Sequence, residues 1–424
     1  MSLKRYFILA GIFIIASGCS SIKRSILNVS DKYQYHPGFY LYDPVAKKEL
    51  LSINADKYFT PASNTKAFTF FSALSVLPDS IPAFRYIKTD SSLQIWGLAD
   101  PGFLNPKLPQ GTSYAFLSQS PKVSVSDANY YSKRLGPGWA WDDYADDYSQ
   151  EKSYLPIYGN SVVFDIDSIS RELKVDPKIF RDSVLIRPGE EYRVWRPEFN
   201  NRFEWDTTAC EDCERLRPIH FSGNTLQNLL KDTLKITVEM NHLPLPDSAK
   251  TYYSIPKDSV LKIMMQESDN FMAEHLLMSC AAQLTDSVSS QVGIKYMSEK
   301  INAFVPDPLV WRDGSGLSRY NLFTPRSMVY LWDRLYKDIG EERLFSLISV
   351  GGERGTLKEW FKADKPYIYG KTGTLSNNFN LSGFLITKSG KRLIFSYMNN
   401  NYPVHASTIR KEMETVLREV YEKY

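Results

Sequence analysis

Histidine and cysteine are scarce in this chain of 424 residues, with five of the first and four of the second. So few cysteines at this length exclude a disulfide scaffold, in which bridges stand in for a core. The histidines (His36, His220, His242, His275 and His405) are scattered without a matching setting, and no G-x-S-x-G elbow is present. A Ser-His-Asp hydrolase therefore finds little support. An excess of one charge is also missing. Fifty-one Lys+Arg against 48 Asp+Glu give +3, and without Lys4 and Arg5 the balance is 49 minus 48, or +1. Nucleic acid is not the expected partner of so neutral a chain. Long apolar runs are absent too. The longest, Tyr6 to Ala16, has eleven residues, which at about 1.5 Å each fall well short of a ~30 Å hydrocarbon core.

What is present describes a folded body. Hydrophobic residues make up 43% and charged residues 23%, close to globular averages, which excludes disorder of the whole chain. The length predicts two or three domains. Aromatics at 14%, with 27 Tyr, suggest exposed rings lining a groove, although Tyr-rich surfaces also occur without a ligand. Lys4-Arg5, the apolar run and Ser17-Gly18-Cys19 read as a signal peptide over residues 1–18. The small residues before Cys19 resemble a bacterial lipoprotein cleavage box, which makes Cys19 the lipidated first residue of the mature protein and 19–34 a tether. Ser20 in second place resembles lipoproteins of the outer membrane facing the periplasm. An ordinary secretory signal is the alternative, and either reading takes the protein out of the cytoplasm. Of the other cysteines, Cys210 and Cys213 are expected as a loop staple, and Cys280, on an apolar helical stretch, as a buried small hydrophobe.

Two segments of one domain flank a long insert. Gly38 to Ile53 reads as a β-hairpin turning at Asp43-Pro44. Ala67, Phe70, Phe71, Leu74 and Leu77 then recur at helical steps, so Ser63 lies at a helix start. Residues 87–254 carry short alternating stretches, among them Leu93–Trp96, Ser161–Phe164 and Leu234–Val238, and predict a β-rich accessory region. From Asp258 the pattern is helical through Leu277. Ser382–Ile386 and Leu393–Met398 flank a hairpin turn, and Ser407 is expected to cap a last helix. The principal domain is thus expected over 35–86 and 255–424.

A nucleophilic hydrolase without a histidine base needs another activating group. Ser63-Asn64-Thr65-Lys66 places Lys66 three residues after Ser63, on nearly the same helix face. A lysine buried by Phe70 and its neighbours loses proton affinity, and a neutral amine can take the Ser63 proton. The helix start adds free N–H groups for an oxyanion. S-x-x-K also occurs at Ser20, Ser149, Ser254 and Ser259, so this spacing alone decides nothing. Two further motifs do: Ser268-Asp269-Asn270 between two helical stretches, and Gly370-Lys371-Thr372-Gly373-Thr374 before the paired strands.

With these three motifs the chain resembles the penicillin-recognising serine enzymes. Asp313-Gly314-Ser315-Gly316-Leu317-Ser318-Arg319-Tyr320-Asn321, closed by Thr324-Pro325, narrows this to the D-alanyl-D-alanine carboxypeptidases also called low-molecular-mass class C penicillin-binding proteins. The 205 positions between Ser63 and Ser268 fit that family, whose extra domains lie between the first two motifs; Gly97–Pro101 and Gly136–Asp143 resemble further landmarks. The resemblance implies an α/β (α+β) fold: a penicillin-binding transpeptidase/β-lactamase-like domain with an antiparallel sheet and a helical cluster, plus the β-rich insert. It implies Ser63 as acylated nucleophile, Lys66 as base, and Ser268 as relay to the leaving D-alanine. Asn270 orients Lys66 and the substrate amide, Lys371 adds positive charge, and the hydroxyls of Thr372 and Thr374, flanking Gly373, bind the terminal carboxylate. The N–H groups of Ser63 and Thr374 form the oxyanion hole. Asp143 and Arg319, with Tyr148 and Ser376, line a pocket for the zwitterionic end of a diamino acid; otherwise Asp143 is a turn residue and Arg319 a structural ion pair. Asp269 reads as a helix-start carboxylate.

The implied activity is D-Ala-D-Ala carboxypeptidase or endopeptidase action on peptidoglycan stem peptides, with β-lactams as inhibitors and neither cofactor nor metal. Two rivals remain. A β-lactamase shares the motifs, but the Glu-x-x-Leu-Asn pattern of class A enzymes is absent between Asn270 and Lys371, and the insert is too long. A peptidoglycan-binding scaffold without activity would be expected to have lost a motif.

Overall fold

The computed structural model describes residues 21–424 apart from 168, 171, 190–192 and 207–213. The expected leader, Cys19 and the Cys210/Cys213 pair lie outside the described residues. Ile22, Ile26, Val29 and Tyr33 recur at steps of four, three and four, and residues 21–33 form a helix, α1, with that stripe turned inward. The expected tether over 19–34 is corrected accordingly. From residue 21 the chain is docked, because Ile22 and Ile26 bury completely in a core shared with the last helix.

A hairpin of β1 (His36–Asp43) and β2 (Lys48–Ile53) follows as expected, its turn held by Asp43 Oδ1 accepting from the Val45 and Ala46 N–H groups at 3.0 Å. A single 3-10 turn, Ala62–Thr65, leads into α2 (Lys66–Val76). The insert then begins. Its elements are β3 (Ser80–Lys88), β4 (Leu93–Gly97), α3 (Ser113–Ser118), β5 (Lys122–Ser126), β6 (Ser161–Ile166), β7 (Leu173–Asp176) and β8 (Val184–Arg187). After these come β9 (Arg193–Trp195), β10 (Phe203–Asp206), β11 (Arg215–Pro218), α4 (Gly223–Leu234), β12 (Thr237–Asn241) and β13 (Lys250–Pro256). They make a five-stranded sheet, β12-β5-β4-β3-β13, and two of three strands, β11-β6-β7 and β8-β10-β9.

The insert is β-rich as expected, but positions 87 and 254 fall inside β3 and β13, which pair with one another. The sheet therefore claims residues on both sides of the expected boundaries. Leu234–Val238 is not one strand either. Leu226, Leu229, Leu230 and Leu234 bury one face of α4, Lys235 ends it at φ 56°, and strand resumes at Thr237.

The chain returns to the first unit through α5 (Lys257–Gln266), α6 (Asn270–Thr285), α7 (Ser290–Asn302), α8 (Pro325–Ile339) and α9 (Glu341–Leu347). It closes with β14 (Ser349–Val350), β15 (Ile368–Leu375), β16 (Asn378–Ile386), β17 (Arg392–Asn400) and α10 (Ala406–Lys423). The sheet order is β14-β15-β16-β17-β1-β2, antiparallel throughout. Period-two alternation gives each face its own core. Along β17, Leu393, Phe395 and Tyr397 pack with α1 and α10, while Ile394 and Met398 face the cluster built on α2, α5, α6 and α8. The α/β fold expected from the motifs is present. Cys280 is buried within α6 as expected. Ser407 does not cap α10; the His405 side chain does, accepting from the Ser407 N–H.

Candidate active site

Three pieces of backbone meet where the motifs lie: the turn before α2, the joint between α5 and α6, and the open edge of β15. Ala62 adopts φ 49°, and the 3-10 turn it begins presents Ser63 beside Lys66, the first residue of α2. Lys66 is fully buried, and its Nζ donates to Ser63 Oγ at 2.9 Å, Asn270 Oδ1 at 2.5 Å and Ser315 O at 2.7 Å. An ammonium has three protons to donate, and all are directed. Burial pulls the lysine down to about 8, against the opposing charges of Asp313, Asp269 and Glu274. A neutral amine at this position points its lone pair at the nearest proton it can take, that of Ser63.

Ser268 occupies the α5–α6 joint at φ 62°, a left-handed conformation that costs a residue with a side chain on the order of 1–3 kcal/mol. The kink turns Oγ toward β15, where it accepts from Lys371 Nζ at 2.8 Å. Lys371 Nζ also donates to Thr372 O at 2.8 Å. Burial, then the charge of Lys66, hold the Lys371 amine well below its ordinary range. Asp269 caps α6 by accepting from the Met272 N–H at 2.9 Å and pairs with Lys107, in keeping with its helix-start reading.

Glycine is required where these pieces touch. A Cβ on Gly373 would stand 2.5 Å from Pro61 O, and one on Gly316, at φ 88°, 2.0 Å from Ala62 O. β15 and the 313–321 loop thereby close directly on the Ser63 turn. β14 pairs with β15 only at Tyr369 and Gly370, so the edge from Lys371 onward is open.

A cleft of about 580 Å³ gathers Ser63, Ser268, Asn270 and Thr374 with Asp143, Tyr148, Arg319 and Ser376. Lys66 and Lys371 are buried beneath it, and Thr372 is nearly buried, its hydroxyl donating to Thr356 Oγ1 at 2.7 Å. Tyr148 is one of the expected exposed rings on the cleft. Its backbone O accepts from Asn270 Nδ2 at 2.9 Å, and its hydroxyl donates to Asp146 Oδ2 at 2.9 Å. Partial burial raises the Asp143 carboxyl above its usual range, opposed by the Tyr148 hydroxyl and, more weakly, Arg319. Arg319 Nη1 reaches Ser376 O at 3.4 Å.

Several supporting residues escape a reading of motifs. Glu274, fully buried on α6, accepts from Ser315 N at 2.8 Å and Ser315 Oγ at 2.7 Å, fixing the carbonyl that holds Lys66. Asp313 accepts from Gly316 N, Ser318 N, Asn321 Nδ2 and Trp139 Nε1 and so shapes the loop. A lone carboxylate four residues after Asn270, inside an apolar helical run, was the available signal for Glu274. Thr356 left none.

The family model for D-Ala-D-Ala carboxypeptidase 3 (S13) matches residues 217–420. D-alanyl-D-alanine carboxypeptidase DacB of Haemophilus influenzae is 24% identical over 455 residues, covering 92% of each chain. Penicillin-sensitive carboxypeptidase A of Dictyostelium discoideum is 22% identical over 85% of this chain and 81% of its own. Among solved structures, penicillin binding protein 4 of H. influenzae superposes with a TM-score of 0.77 at 18% identity, over 94% of this chain and 99% of that one. A predatory peptidoglycan endopeptidase of Bdellovibrio bacteriovorus gives 0.51 at 14%, over 91% and 92%. Family match, relatives and fold point the same way: over residues 217–420 the chain is similar to the D-Ala-D-Ala carboxypeptidase 3 (S13) family, and along most of its length it resembles carboxypeptidases and shares the fold of a penicillin binding protein.

Proposed function

We propose that the protein is a serine-type D-alanyl-D-alanine carboxypeptidase and endopeptidase that cuts peptidoglycan stem peptides through an acyl-enzyme on Ser63 and is acylated there by penicillins. The observation that carries this reading is the 2.9 Å contact of a buried Lys66, its proton affinity lowered by burial, with Ser63 Oγ at the floor of an open cleft. Relatives named D-alanyl-D-alanine carboxypeptidase, matched over most of their length, support it.

In this mechanism neutral Lys66 takes the hydroxyl proton as Ser63 Oγ attacks the carbonyl of the penultimate D-alanine. The N–H groups of Ser63 and Thr374 hold the oxyanion. The proton taken by Lys66 returns through Ser268, bonded to Lys371, to the leaving nitrogen; the C–N bond breaks, the terminal residue departs as the amine, and Lys66 is neutral again. Water then hydrolyses the ester with Lys66 again as base, releasing the shortened peptide and restoring Ser63. Asn270 keeps Lys66 aimed, while Asp143, Arg319, Tyr148 and Ser376 receive the far amino-acid end of the stem peptide. Thr372 and Thr374 hold the carboxylate of the leaving residue.

Ser63→Ala is expected to abolish both labelling by a fluorescent penicillin and release of D-alanine without altering the fold, since Lys66 is the partner its side chain loses. A labelled Ser63→Ala protein sinks the nucleophile assignment. The adduct's lifetime in the wild type is part of the same experiment: rapid turnover would turn the reading to a β-lactamase, and no adduct to a binding scaffold.

The proposed place of work is the periplasm, with Cys19 lipidated and the protein held at the periplasmic face of the outer membrane. No helix among the described residues is long and apolar enough to cross a membrane. Cys19→Ser should leave a secreted protein that no longer sediments with membranes, and soluble behaviour of the mature wild type would end this part of the proposal.

A further inference from the structure

A second cavity, of about 240 Å³, lies on the other side of β15 from the helical cluster. Side chains alternate along a strand. In β15, Tyr369 packs with the helical cluster and Ile368 with the core under α10. Thr372 and Thr374 share the parity of Ile368, and both line this cavity with Thr356, Trp360 and Arg410 of α10. Thr374 also borders the catalytic cleft, so the two spaces adjoin across one strand edge.

Arg410 is positioned there without an anionic partner. Its guanidinium lies 4.9 Å from the Trp360 ring centre and 4.8 Å from that of Phe379, and its buried Nε has no hydrogen-bond partner. No carboxylate pairs with it among the described residues. Glu414, one turn along α10, accepts the Phe361 N–H at 2.7 Å instead. Burial lowers the proton affinity of Arg410, yet a guanidinium stays charged at any working pH.

The other cation near these threonines is already engaged. Lys371 Nζ donates to Ser268 Oγ and Thr372 O, and burial, then the charge of Lys66, hold its amine well below the ordinary range. Two hydroxyls can orient a carboxylate but cannot neutralise it, whereas a guanidinium fixed between rings offers a lasting charge and directed N–H donors.

We propose that Arg410 is the counter-cation for the α-carboxylate of the substrate's leaving residue, held with Thr372 and Thr374 in a subsite that extends into the cavity under α10. This rests on the carboxypeptidase reading and deepens it. The α-carboxylate is shared by a terminal D-alanine and by a D-centre in a cross-link, so one arginine serves both kinds of cleavage.

The test uses two acyl-D-alanyl thioesters with the full-length protein, one with thioglycolate as leaving group and one with its carboxamide. The wild type is expected to prefer the carboxylate. Arg410→Ala should shrink that preference in kcat/KM by about ten-fold or more, mainly through KM, and Arg410→Lys should restore part of it. Because the preference is a ratio within one protein sample, loss of folded enzyme cancels. An unchanged ratio, with both substrates slowed together, overturns the proposal and leaves Arg410 as packing for Trp360 and Phe379. Wild type inactive on both substrates would overturn the peptidase reading itself, and this subsite with it.

Discussion

At the floor of the cleft Lys66 makes three hydrogen bonds of 2.5–2.9 Å from full burial. At its wall Arg319 reaches Ser376 O only at 3.4 Å, and Asp143 sits in a 3-10 turn, Trp141–Ala145, with no buried residue. The contrast follows the roles proposed for each region. Proton transfer needs donor and acceptor fixed to fractions of an ångström before substrate arrives. A pocket for a charged peptide end can finish assembling around its ligand, because charge-assisted contacts tolerate small displacements. Even within the wall, Tyr148 links the two regimes: its backbone aims Asn270 while its hydroxyl stays with Asp146.

Breaking the floor should have the larger effect. Lys66→Ala removes the base from Ser63 and should lower the acylation rate by penicillin by about a thousand-fold or more, measured by stopped-flow or gel labelling. Near-normal acylation would mean that another group activates Ser63. Breaking the wall should be milder and selective. Asp143→Ala and Arg319→Ala are each expected to reduce kcat/KM for a stem peptide with a free diamino-acid end by roughly ten- to a hundred-fold, and acylation by a small penicillin by much less. Equal losses on both would place these residues in support of the floor.

The smallest effect sharpens the comparison through pH. Lys66 must be neutral to act, so kcat/KM should rise with pH through about 8 as the amine loses its proton. The Asp269 carboxylate favours the protonated amine. Asp269→Asn removes that charge and keeps a good helix cap, so the midpoint should move to lower pH with little change in stability. A midpoint displaced to higher pH would show that Asp269 acts on the site in some other way.

Local chemistry was legible in the residues wherever it recurs at fixed spacing. Ser63 and Lys66 lie three apart on one helix start, Ser268 to Asn270 straddle a helix joint, and the glycines of the 370–374 strand mark a close approach that the Ser63 turn then makes. What depended on distant packing was not. The edge of β3 at Ser80 is set by pairing with β13, some 170 positions away, and no local pattern announces it. The apolar stripe of α1 was in plain view as Ile22, Ile26, Val29 and Tyr33, yet its partner surface on α10 lies at the other end of the chain. Glu274 acts through the Ser315 carbonyl, and backbone atoms leave no trace in residue identity.

The docking of α1 sets the length of a leash. Ser25 Oγ donates to Glu419, Lys32 and Tyr33 meet Glu412, and Ile22 is already buried, so from residue 21 the chain is held to the last helix. On the proposal that Cys19 carries lipid, a helix docked from residue 21 would hold the catalytic body close to the bilayer. The α10 side of the sheet would face the membrane, and cutting would be confined to the layer of wall next to it.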